Sequence, residues 1–326
     1  MTQPLVLFLD PFSPEVRAAI EAEAPASLTV RLATSSDPAE IAPFLGEAEF
    51  FVGGIAPISA ALLAAAPKLR LIHKWGIGVD KIDLAAARAR GIPVTITAGA
   101  NAVAVAELTL LLILAVLRRL PHRQAQLRAG EWARARAEAR VQAFQLRRKV
   151  VALVGLGAIG REVAKRLRAF DAEVRYHDVR RIPADEEQRL GVTYAELDSL
   201  LAAADVVSLH VPLLPSTQGL LSRQRIARLK RGAIVVNTAR GELVDEVALA
   251  EALESGHLAG AGFDVFSPEP PPADHPLMQS SAPGLVLAPH IAGSVFDNVP
   301  DVARHVFGNI RRVLAGEPIP ERDLVR

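Results

Sequence analysis

Three polar residues able to support catalysis lie in segments that each follow an apolar run typical of a buried strand. Arg240 lies in NTARG, Glu269 in DVFSPEP and His290 in PHIAG. Open parallel α/β sheets bind ligands beyond the carboxyl ends of their strands, which is where these segments begin. We therefore expect the three side chains to form one reaction centre.

Each residue type suits one role in such a centre. An imidazole titrates near neutrality and can exchange a proton with a substrate, while a carboxylate on its other ring nitrogen fixes the tautomer. A guanidinium binds a carboxylate through two parallel hydrogen bonds and stabilises developing negative charge. Taken singly, each residue could also be ordinary: Arg240 a surface cation, Glu269 a loop carboxylate and His290 a capping or buried histidine.

The stretch that begins at residue 150 is expected to position a cofactor. VVALV is an apolar, β-branched run that predicts a buried parallel strand, and helical spacing of apolar residues starts at Ile159. Between them, Gly155 permits a tight turn, Gly157 lets the backbone approach a pyrophosphate, and Gly160 lets the helix pack close to the strand. This order predicts a dinucleotide-binding unit whose helix N-terminus faces the phosphates.

Asp178 strengthens this prediction and selects the cofactor. It ends a second predicted strand, 173–177, about 20 residues after the glycine turn. A carboxylate there accepts the ribose hydroxyls of NAD and repels the 2′-phosphate of NADP. Because Arg180 and Arg181 could hold a phosphate, NADP remains the less favoured alternative.

Alternation of strands and helices indicates an α/β fold with two doubly wound parallel-sheet domains. Strands are predicted at 5–9, 28–32, 50–52, 69–72, 94–96, 150–154, 173–177, 206–209, 233–237, 260–263 and 285–287, and helices at 14–24, 38–44, 59–65, 84–90, 102–117 and 294–314. We expect a Rossmann cofactor domain at 99–291. A discontinuous, flavodoxin-like substrate domain is expected at 1–98 plus 292–326, with a cleft between the two sheets.

Composition excludes several other classes of protein. The chain of 326 residues is half hydrophobic with a net charge of +1, which gives no electrostatic reason to expect nucleic acid. It has no cysteine, so disulfides, thiolate metal sites and a cysteine nucleophile are excluded, and no metal is predicted. The apolar stretch 102–117 is too short for a membrane span, and MTQPLVLFLD lacks the basic start of a signal peptide. We expect a cytoplasmic protein.

Five motifs in register along nearly the whole chain resemble the NAD-dependent D-2-hydroxyacid dehydrogenases. They are GLGAIG with Asp178, HVPLLPST, NTARGELVDE, DVFSPEP and PHIAG. The first two motifs are most similar to those of the D-3-phosphoglycerate dehydrogenases of this family, in a form without their regulatory C-terminal domain.

The resemblance implies a role for each candidate residue. Arg240 would anchor the substrate, Glu269 would pair with His290, and His290 would act as acid and base. Residues implied at the cofactor are Gly155, Gly157, Ala158, Ile159, Gly160, Asp178, His210, Val211, Pro212, Thr217, Thr238, Ala239, Arg240, Asp264, His290 and Gly293. Residues implied at the substrate are Lys74, Gly76, Ile77, Gly78, Arg240 and His290, with the loop 76–78 donating backbone N–H groups to the substrate carboxylate. NAVAVAE at 101–107 resembles the interdomain and dimer-forming helix, and Trp132 would face a twin subunit, which predicts a homodimer.

The substrate is left open among small 2-oxoacids. Phosphoglycerate dehydrogenases usually carry an arginine after the strand 50–52, where this chain has Gly53 and Gly54, and another before the loop at Gly76, where it has Lys74 and Trp75. A single lysine is a less directional phosphate site than two arginines. Hydroxypyruvate and glyoxylate therefore stand beside 3-phosphoglycerate.

Three other functions share parts of the pattern. Formate dehydrogenases of this superfamily carry Gln where Glu269 stands, so the carboxylate favours reversible C–OH/C=O chemistry. Phosphite dehydrogenases share the His, Glu and Arg. An NAD-sensing protein like the transcriptional corepressors of this fold is the alternative from outside the enzymes, and it would bind peptides.

Overall fold

Parallel β-sheets with flanking helices make up residues 3–325, the part of the chain described by the computed structural model. The strands are β1 (Leu5–Phe8), β2 (Thr29–Leu32), β3 (Ala48–Gly53), β4 (Leu71–Lys74), β5 (Val94–Thr95), β6 (Val150–Val154), β7 (Glu173–His177), β8 (Val192–Tyr194), β9 (Val206–Leu209), β10 (Ile234–Asn237), β11 (Gly260–Phe263) and β12 (Leu285–Leu287). The predicted α/β fold class is confirmed.

Helices precede or follow most of these strands. They are α1 (Pro14–Ala22), α2 (Pro38–Ile41), α3 (Ala60–Ala64), α4 (Leu84–Ala89), α5 (Ala102–Arg118), α6 (Leu120–Arg128), α7 (Trp132–Gln142), α8 (Ala158–Ala169), α9 (Ala184–Leu190), α10 (Leu197–Ala203), α11 (Arg223–Arg228), α12 (Glu246–Glu254), α13 (Pro276–Gln279) and α14 (Val299–Ala315). Short 3-10 turns lie at Ala42–Phe44, Gly241–Leu243, Phe296–Asn298 and Glu321–Asp323.

The chain divides into two compact units, each with its own sheet. One combines the residues up to Asn101 with those from Val295 onward, and its strand order β2-β1-β3-β4-β5 is the flavodoxin-like order. The other spans Ala102–Ser294 with the order β12-β11-β10-β9-β6-β7-β8, which is the Rossmann order with one more strand at the edge. The ends of the predicted substrate domain, residues 1–2 and 326, lie outside the described residues.

One of the two hydrophobic cores of the first unit lies between its sheet and the helices α1 and α14. Phe8 of β1, Phe50 of β3 and Phe307 of α14 are buried together there. The predicted start of the last helix at residue 294 was wrong, because α14 begins at Val299. Pro300 lies in the first turn of α14, where its missing N–H group needs no partner within the helix.

In the second unit, helix α5 lies directly on the backbone of β11. A Cβ on Gly262 would come within 2.9 Å of the Leu112 Cβ, and one on Gly260 within 2.6 Å of the Val116 side chain. The helix therefore packs against strand backbone rather than against a layer of side chains. None of the helices within residues 3–325 is both long and apolar enough to cross a lipid bilayer.

Strand β8 was not predicted from the sequence. It has three residues and pairs with β7 at the edge of the second sheet. A run this short carries too little alternation to be distinguished from a loop.

A buried polar cluster in the first unit holds His73 neutral. His73 is fully buried; its Nδ1 donates to the Lys74 carbonyl at 3.0 Å, and its Nε2 accepts from the Asn309 amide at 3.1 Å. The second hydrogen of that amide reaches the Asp323 carboxylate at 3.1 Å. Burial lowers the pKa of His73 from 6.5 to about 4.

We expect the stability of this unit to fall in acid because of His73. Between pH 6.5 and about 4 the unfolded chain binds a proton on this ring and the folded chain does not. The free energy of unfolding should therefore decrease with falling pH, by at most about 1.4 kcal/mol per pH unit from this one group. Urea unfolding at pH 4.5 and 7 checks this: His73→Gln should flatten the dependence and the control His122→Gln should not. An equally steep dependence in His73→Gln would contradict it.

Candidate active site

The turn between β6 and α8 has open space where the sequence predicts a pyrophosphate. Gly155 has a φ of +98°, and a Cβ there would lie 2.6 Å from the His210 carbonyl oxygen. A Cβ on Gly160 would lie 2.3 Å from the Gly155 carbonyl oxygen, so α8 packs directly on the turn. A Cβ on Gly157, in contrast, would meet no atom within 4 Å. Close approach of a ligand to backbone requires this combination.

The first turn of α8 presents amides that a phosphate can bind. Gly157 is the N-cap residue, and no side chain in the described part of the chain caps the helix there. The N–H groups of the first turn, which contains Ala158 and Ile159, point along the positive end of the helix dipole. These features fit a dinucleotide.

Asp178 is fixed beside the same turn. Its Oδ2 accepts a hydrogen bond from the Leu156 amide at 2.7 Å, and its Oδ1 accepts from the Arg180 amide at 3.4 Å. The carboxylate therefore lies next to the glycine turn, where a ribose diol would follow the pyrophosphate.

Other residues predicted at the cofactor form the loop after β9, namely His210, Val211, Pro212 and Thr217. Thr217 closes this loop, because its hydroxyl accepts from the Leu214 amide at 2.8 Å and donates to the Pro212 carbonyl at 2.7 Å. The contacts of these residues with a cofactor stay a prediction.

Arg240 ends a loop that Asn237 and Thr238 hold in place. Asn237 is fully buried; its Oδ1 accepts from the Ala239 amide at 3.0 Å, and its Nδ2 donates to the Arg240 carbonyl at 2.8 Å. The hydroxyl of Thr238 lies 3.1 Å from that of Thr109 on α5. The Arg240 guanidinium donates to the Ala239 carbonyl at 2.6 Å.

Glu269 and His290 form the hydrogen-bonded pair that the sequence predicts. Nδ1 of His290 lies 2.8 Å from Oε2 of Glu269, and the imidazole is about half exposed. The other carboxylate oxygen accepts from the Phe266 amide at 3.1 Å. With Nδ1 bound to a carboxylate, Nε2 is left for a substrate oxygen.

The pair has the charge distribution that proton transfer requires. Burial by itself would raise the pKa of Glu269, but the hydrogen bond and charge of His290, the Phe266 amide and the Arg240 charge together lower it below the usual range. Glu269 therefore stays ionised through neutral and weakly acidic pH. The Arg240 charge acts on this carboxylate in the direction that favours its ionised form.

Glycine at position 241 brings the Arg240 loop into contact with the segment that carries Glu269. A Cβ on Gly241 would lie 2.1 Å from the carbonyl carbon of Phe266 and 2.5 Å from the Ser267 nitrogen. A second support comes from Glu246, whose Oε2 accepts from the Ser267 amide at 3.2 Å. The two segments are therefore in direct backbone contact, and a shift of one segment requires a shift of the other.

His290 has an unusual backbone that Asp264 stabilises. Its φ is +54°, in the left-handed region that side-chain-bearing residues seldom adopt. The two carboxylate oxygens of the fully buried Asp264 accept from the amides of Ile291 and Ala292, each at 2.8 Å. Gly293 follows in the same turn. Asp264 therefore fixes the backbone that orients the imidazole, and its predicted cofactor contact stays a prediction.

We expect Asp264→Asn to lower both stability and turnover. An asparagine offers one acceptor to two amides and turns its NH2 toward the other, which leaves a buried donor unsatisfied at about 1–3 kcal/mol. Urea unfolding should show that loss, and kcat should fall about tenfold because the imidazole is displaced. Asp274→Asn, at an exposed site of the same region, is the matched control. An unchanged kcat in Asp264→Asn would show that the turn keeps its shape without the carboxylate.

The predicted substrate loop 76–78 lies in the first unit, and its three backbone amides differ in their hydrogen bonding. Gly76 has a φ of +124° and its N–H already donates to the Thr97 hydroxyl at 2.9 Å. This amide already has a hydrogen-bond partner in the structure, and its contact with a substrate stays a prediction. The amides of Ile77 and Gly78 have no hydrogen-bond partner among residues 3–325.

The predicted substrate cation Lys74 is bound to the loop after β3. Its ammonium donates to the Gly54 carbonyl. The same loop encloses the carboxylate of Asp10, which accepts hydrogen bonds from the amides of Gly54, Ile55 (2.8 Å) and Ala56 (2.6 Å). Lys74 thus has a structural role that the sequence prediction did not include.

Sequence reasoning missed several residues that shape the site. Asp10 and Thr97 bind loops distant from them in sequence, so no local pattern identifies them. Asn237 and Glu246 are the first and last residues of the quoted motif NTARGELVDE, and that position was the only sequence signal for them.

Comparison with known proteins gives the family. The family model described as "D-isomer specific 2-hydroxyacid dehydrogenase, NAD binding domain" matches residues 110–292. D-3-phosphoglycerate dehydrogenase of Mycobacterium tuberculosis is 38% identical over 322 residues, 98% of this chain, but the match spans only 59% of that protein's length. Glyoxylate reductase of Thermofilum pendens is 41% identical over 263 residues, 81% of this chain and 77% of that protein.

Among solved structures, the NAD-dependent formate dehydrogenase of Staphylococcus aureus in complex with NAD has a TM-score of 0.84, 26% identity and 99% coverage of both chains. The glycine turn, the strand order and the paired histidine and glutamate agree with the family match, which covers more than half of the sequence. The chain is a member of the D-isomer specific 2-hydroxyacid dehydrogenase family.

Proposed function

We propose that this chain interconverts a small D-2-hydroxyacid and its 2-oxoacid with NAD as the cofactor. The observation that carries the proposal is the 2.8 Å contact between His290 Nδ1 and Glu269, on a segment that touches the loop ending at Arg240. A proton donor oriented by a carboxylate, beside a guanidinium, is the arrangement that carbonyl reduction needs.

In this reaction bound NADH would supply the hydride to carbon C2, and the chain's own residues do the rest. His290, protonated and hydrogen-bonded to Glu269, gives the Nε2 proton to the carbonyl oxygen. Arg240 binds the substrate carboxylate and stabilises negative charge on the carbonyl oxygen. One hydride and one proton are thus added to C=O to give CH–OH, and oxidation runs the same steps backward.

The ionised Glu269 favours this reaction over formate oxidation. Loss of hydride from formate gives carbon dioxide and requires no proton on oxygen, so a carboxylate that stabilises a protonated imidazole has no use there. Reduction of a ketone or aldehyde does require that proton.

We further propose glyoxylate or hydroxypyruvate rather than a phosphorylated oxoacid as substrate. Where the resemblance places an arginine of phosphoglycerate dehydrogenases, the amides of the loop 54–56 are occupied by Asp10 and Lys74 is bound to Gly54. A phosphate would find neither free N–H groups nor a guanidinium there. The amides of Ile77 and Gly78 are the proposed partners of the substrate carboxylate.

Turnover on a panel tests both proposals. The purified protein is assayed with NADH and glyoxylate, hydroxypyruvate, phosphohydroxypyruvate or pyruvate, and with NAD and phosphite or formate. Consumption of NADH with a 2-oxoacid is expected, and it should be fastest with glyoxylate and hydroxypyruvate. Exclusive activity with phosphite or formate, or cofactor and peptide binding without any turnover, would contradict the proposed reaction.

The homodimer and the cytoplasmic location predicted from the sequence are also proposals. Exposed apolar side chains at Leu127 of α6, Trp132 of α7 and Phe144 after α7 support a surface that a second copy covers. Light scattering measures the oligomeric state.

A further inference from the structure

The second arginine after β7, Arg181, is already paired with a carboxylate. Nε of Arg181 donates to Glu187 Oε1 at 2.8 Å, and its terminal nitrogen donates to Oε2 at 2.9 Å. This is a two-point contact between the edges of a planar guanidinium and a planar carboxylate, the most directional ion pair that side chains form. The guanidinium carbon also lies over the ring of Tyr194, 5.4 Å from its centroid.

Glu187 is itself held in place from inside the sheet. The hydroxyl of Tyr176, a fully buried residue of β7, donates to Glu187 Oε1 at 2.8 Å and accepts from the Ile182 amide at 3.1 Å. Only about a tenth of the Glu187 side chain is exposed. Hydrogen bonds from Arg181 and Tyr176 lower its pKa, so the carboxylate is charged at neutral pH.

The position of this pair matters because of where β7 ends. Asp178, Arg180 and Arg181 follow the strand in that order, at the place where a dinucleotide-binding unit reads the ribose. In such units a carboxylate binds the 2′-hydroxyl of NAD, and a nearby arginine accommodates the 2′-phosphate of NADP. The two hydrogen bonds to Glu187 occupy one edge of the Arg181 guanidinium, and the carboxylate offsets its charge, so a 2′-phosphate would gain less from this arginine.

We propose that Glu187 is a specificity-determining residue, which selects NAD over NADP by holding Arg181 away from the ribose. Asp178 acts on the cofactor directly, whereas Glu187 acts through Arg181. The two carboxylates oppose NADP by different means: Asp178 repels the phosphate, and Glu187 removes a cation that would attract it. The inference rests on the proposed nucleotide site and not on the identity of the oxoacid.

Binding of NADH and NADPH, measured by fluorescence titration without substrate, tests the proposal. In an Asp178→Ala background, adding Glu187→Gln should tighten NADPH binding about tenfold, the size expected of one charge-assisted contact, and leave NADH binding unchanged. Glutamine keeps an acceptor for the Tyr176 hydroxyl while losing the charge that holds Arg181. Adding Arg181→Met to this double variant should remove the gain.

Two further variants test whether the gain depends on this particular ion pair. Asp185→Asn removes one negative charge from the same turn of α9, and it should leave NADPH binding unchanged in the Asp178→Ala background. The double variant Asp178→Ala/Arg181→Met keeps native Glu187. It should bind NADPH no more weakly than Asp178→Ala alone, because Glu187 already holds Arg181 away from the ribose.

Several outcomes would overturn the proposal. Adding Glu187→Gln would contradict it by changing the affinities for NADH and NADPH equally, or by tightening NADPH binding even when Arg181 is replaced. The same tightening with Asp185→Asn would also contradict it, as would weaker NADPH binding after Arg181→Met when Glu187 is native. Failure of the oxoacid panel would not affect these results, because binding is measured in the absence of substrate.

Discussion

His290→Ala is expected to lower kcat for 2-oxoacid reduction by at least two orders of magnitude. The imidazole is the proposed proton donor, and a positioned general acid contributes about 10²–10⁴-fold. Binding of NADH should persist, because the glycine turn, the α8 N-terminus and Asp178 do not depend on the imidazole. Stopped-flow or steady-state kinetics give kcat, and fluorescence titration gives the dissociation constant of NADH.

Two variants make this result interpretable. His122→Ala, at a position on α6 away from the paired carboxylate, should keep wild-type kcat. Glu269→Gln should give an intermediate loss of kcat, because the protonated imidazole loses its counter-charge. Near-normal turnover in His290→Ala would remove this residue from the mechanism and would favour the binding-protein alternative.

Gly241→Ala is expected to lower kcat by about two orders of magnitude, although position 241 has no chemical group of its own. The added methyl would lie 2.1 Å from the Phe266 carbonyl carbon, which is main chain and cannot rotate away. Either the loop ending at Arg240 or the segment carrying Glu269 must shift, and a displacement of about 1 Å in an active site can cost 10²-fold. A loss of stability of about 1–3 kcal/mol should accompany it, as in overpacked cores.

The comparison with another glycine separates displacement from a general effect of added volume. Gly308 lies in α14, and a methyl group added there would meet no atom within 4 Å beyond the backbone of its own helix, so Gly308→Ala should leave kcat unchanged. Unfolding by urea shows whether Gly241→Ala is still folded at the assay temperature. If it is folded and fully active, the contact between the two segments does not set the geometry of the site.

Local pattern was sufficient to predict the fold class and the cofactor turn. The run VVALV, three glycines at fixed spacing and a helical period lie within 25 residues, and each of them states a backbone requirement that does not depend on distant parts of the chain. The candidate residues Arg240, Glu269 and His290 were also found because parallel strands bring their carboxyl ends to one edge.

Long-range contacts account for what the sequence could not predict. The carboxylate of Asp264 binds amides that follow His290, and Thr97 takes the amide of Gly76, which the resemblance had given to the substrate. Likewise, no local pattern indicated that Glu187 would bind Arg181, one of the two arginines after β7. In each case the deciding partner lies several residues to several tens of residues away, on another turn or strand, and only the folded chain brings the two together.

At position 290, heat resistance and turnover favour different residues, because the backbone there is left-handed. Glycine adopts this conformation at lower free energy than any residue with a side chain, so selection for thermal endurance alone would favour it there. The proposed reaction requires the imidazole instead, and the carboxylate of Asp264 stabilises the turn by accepting from the next two backbone amides. Engineering of more durable variants should therefore look for gains elsewhere and leave both residues as they are.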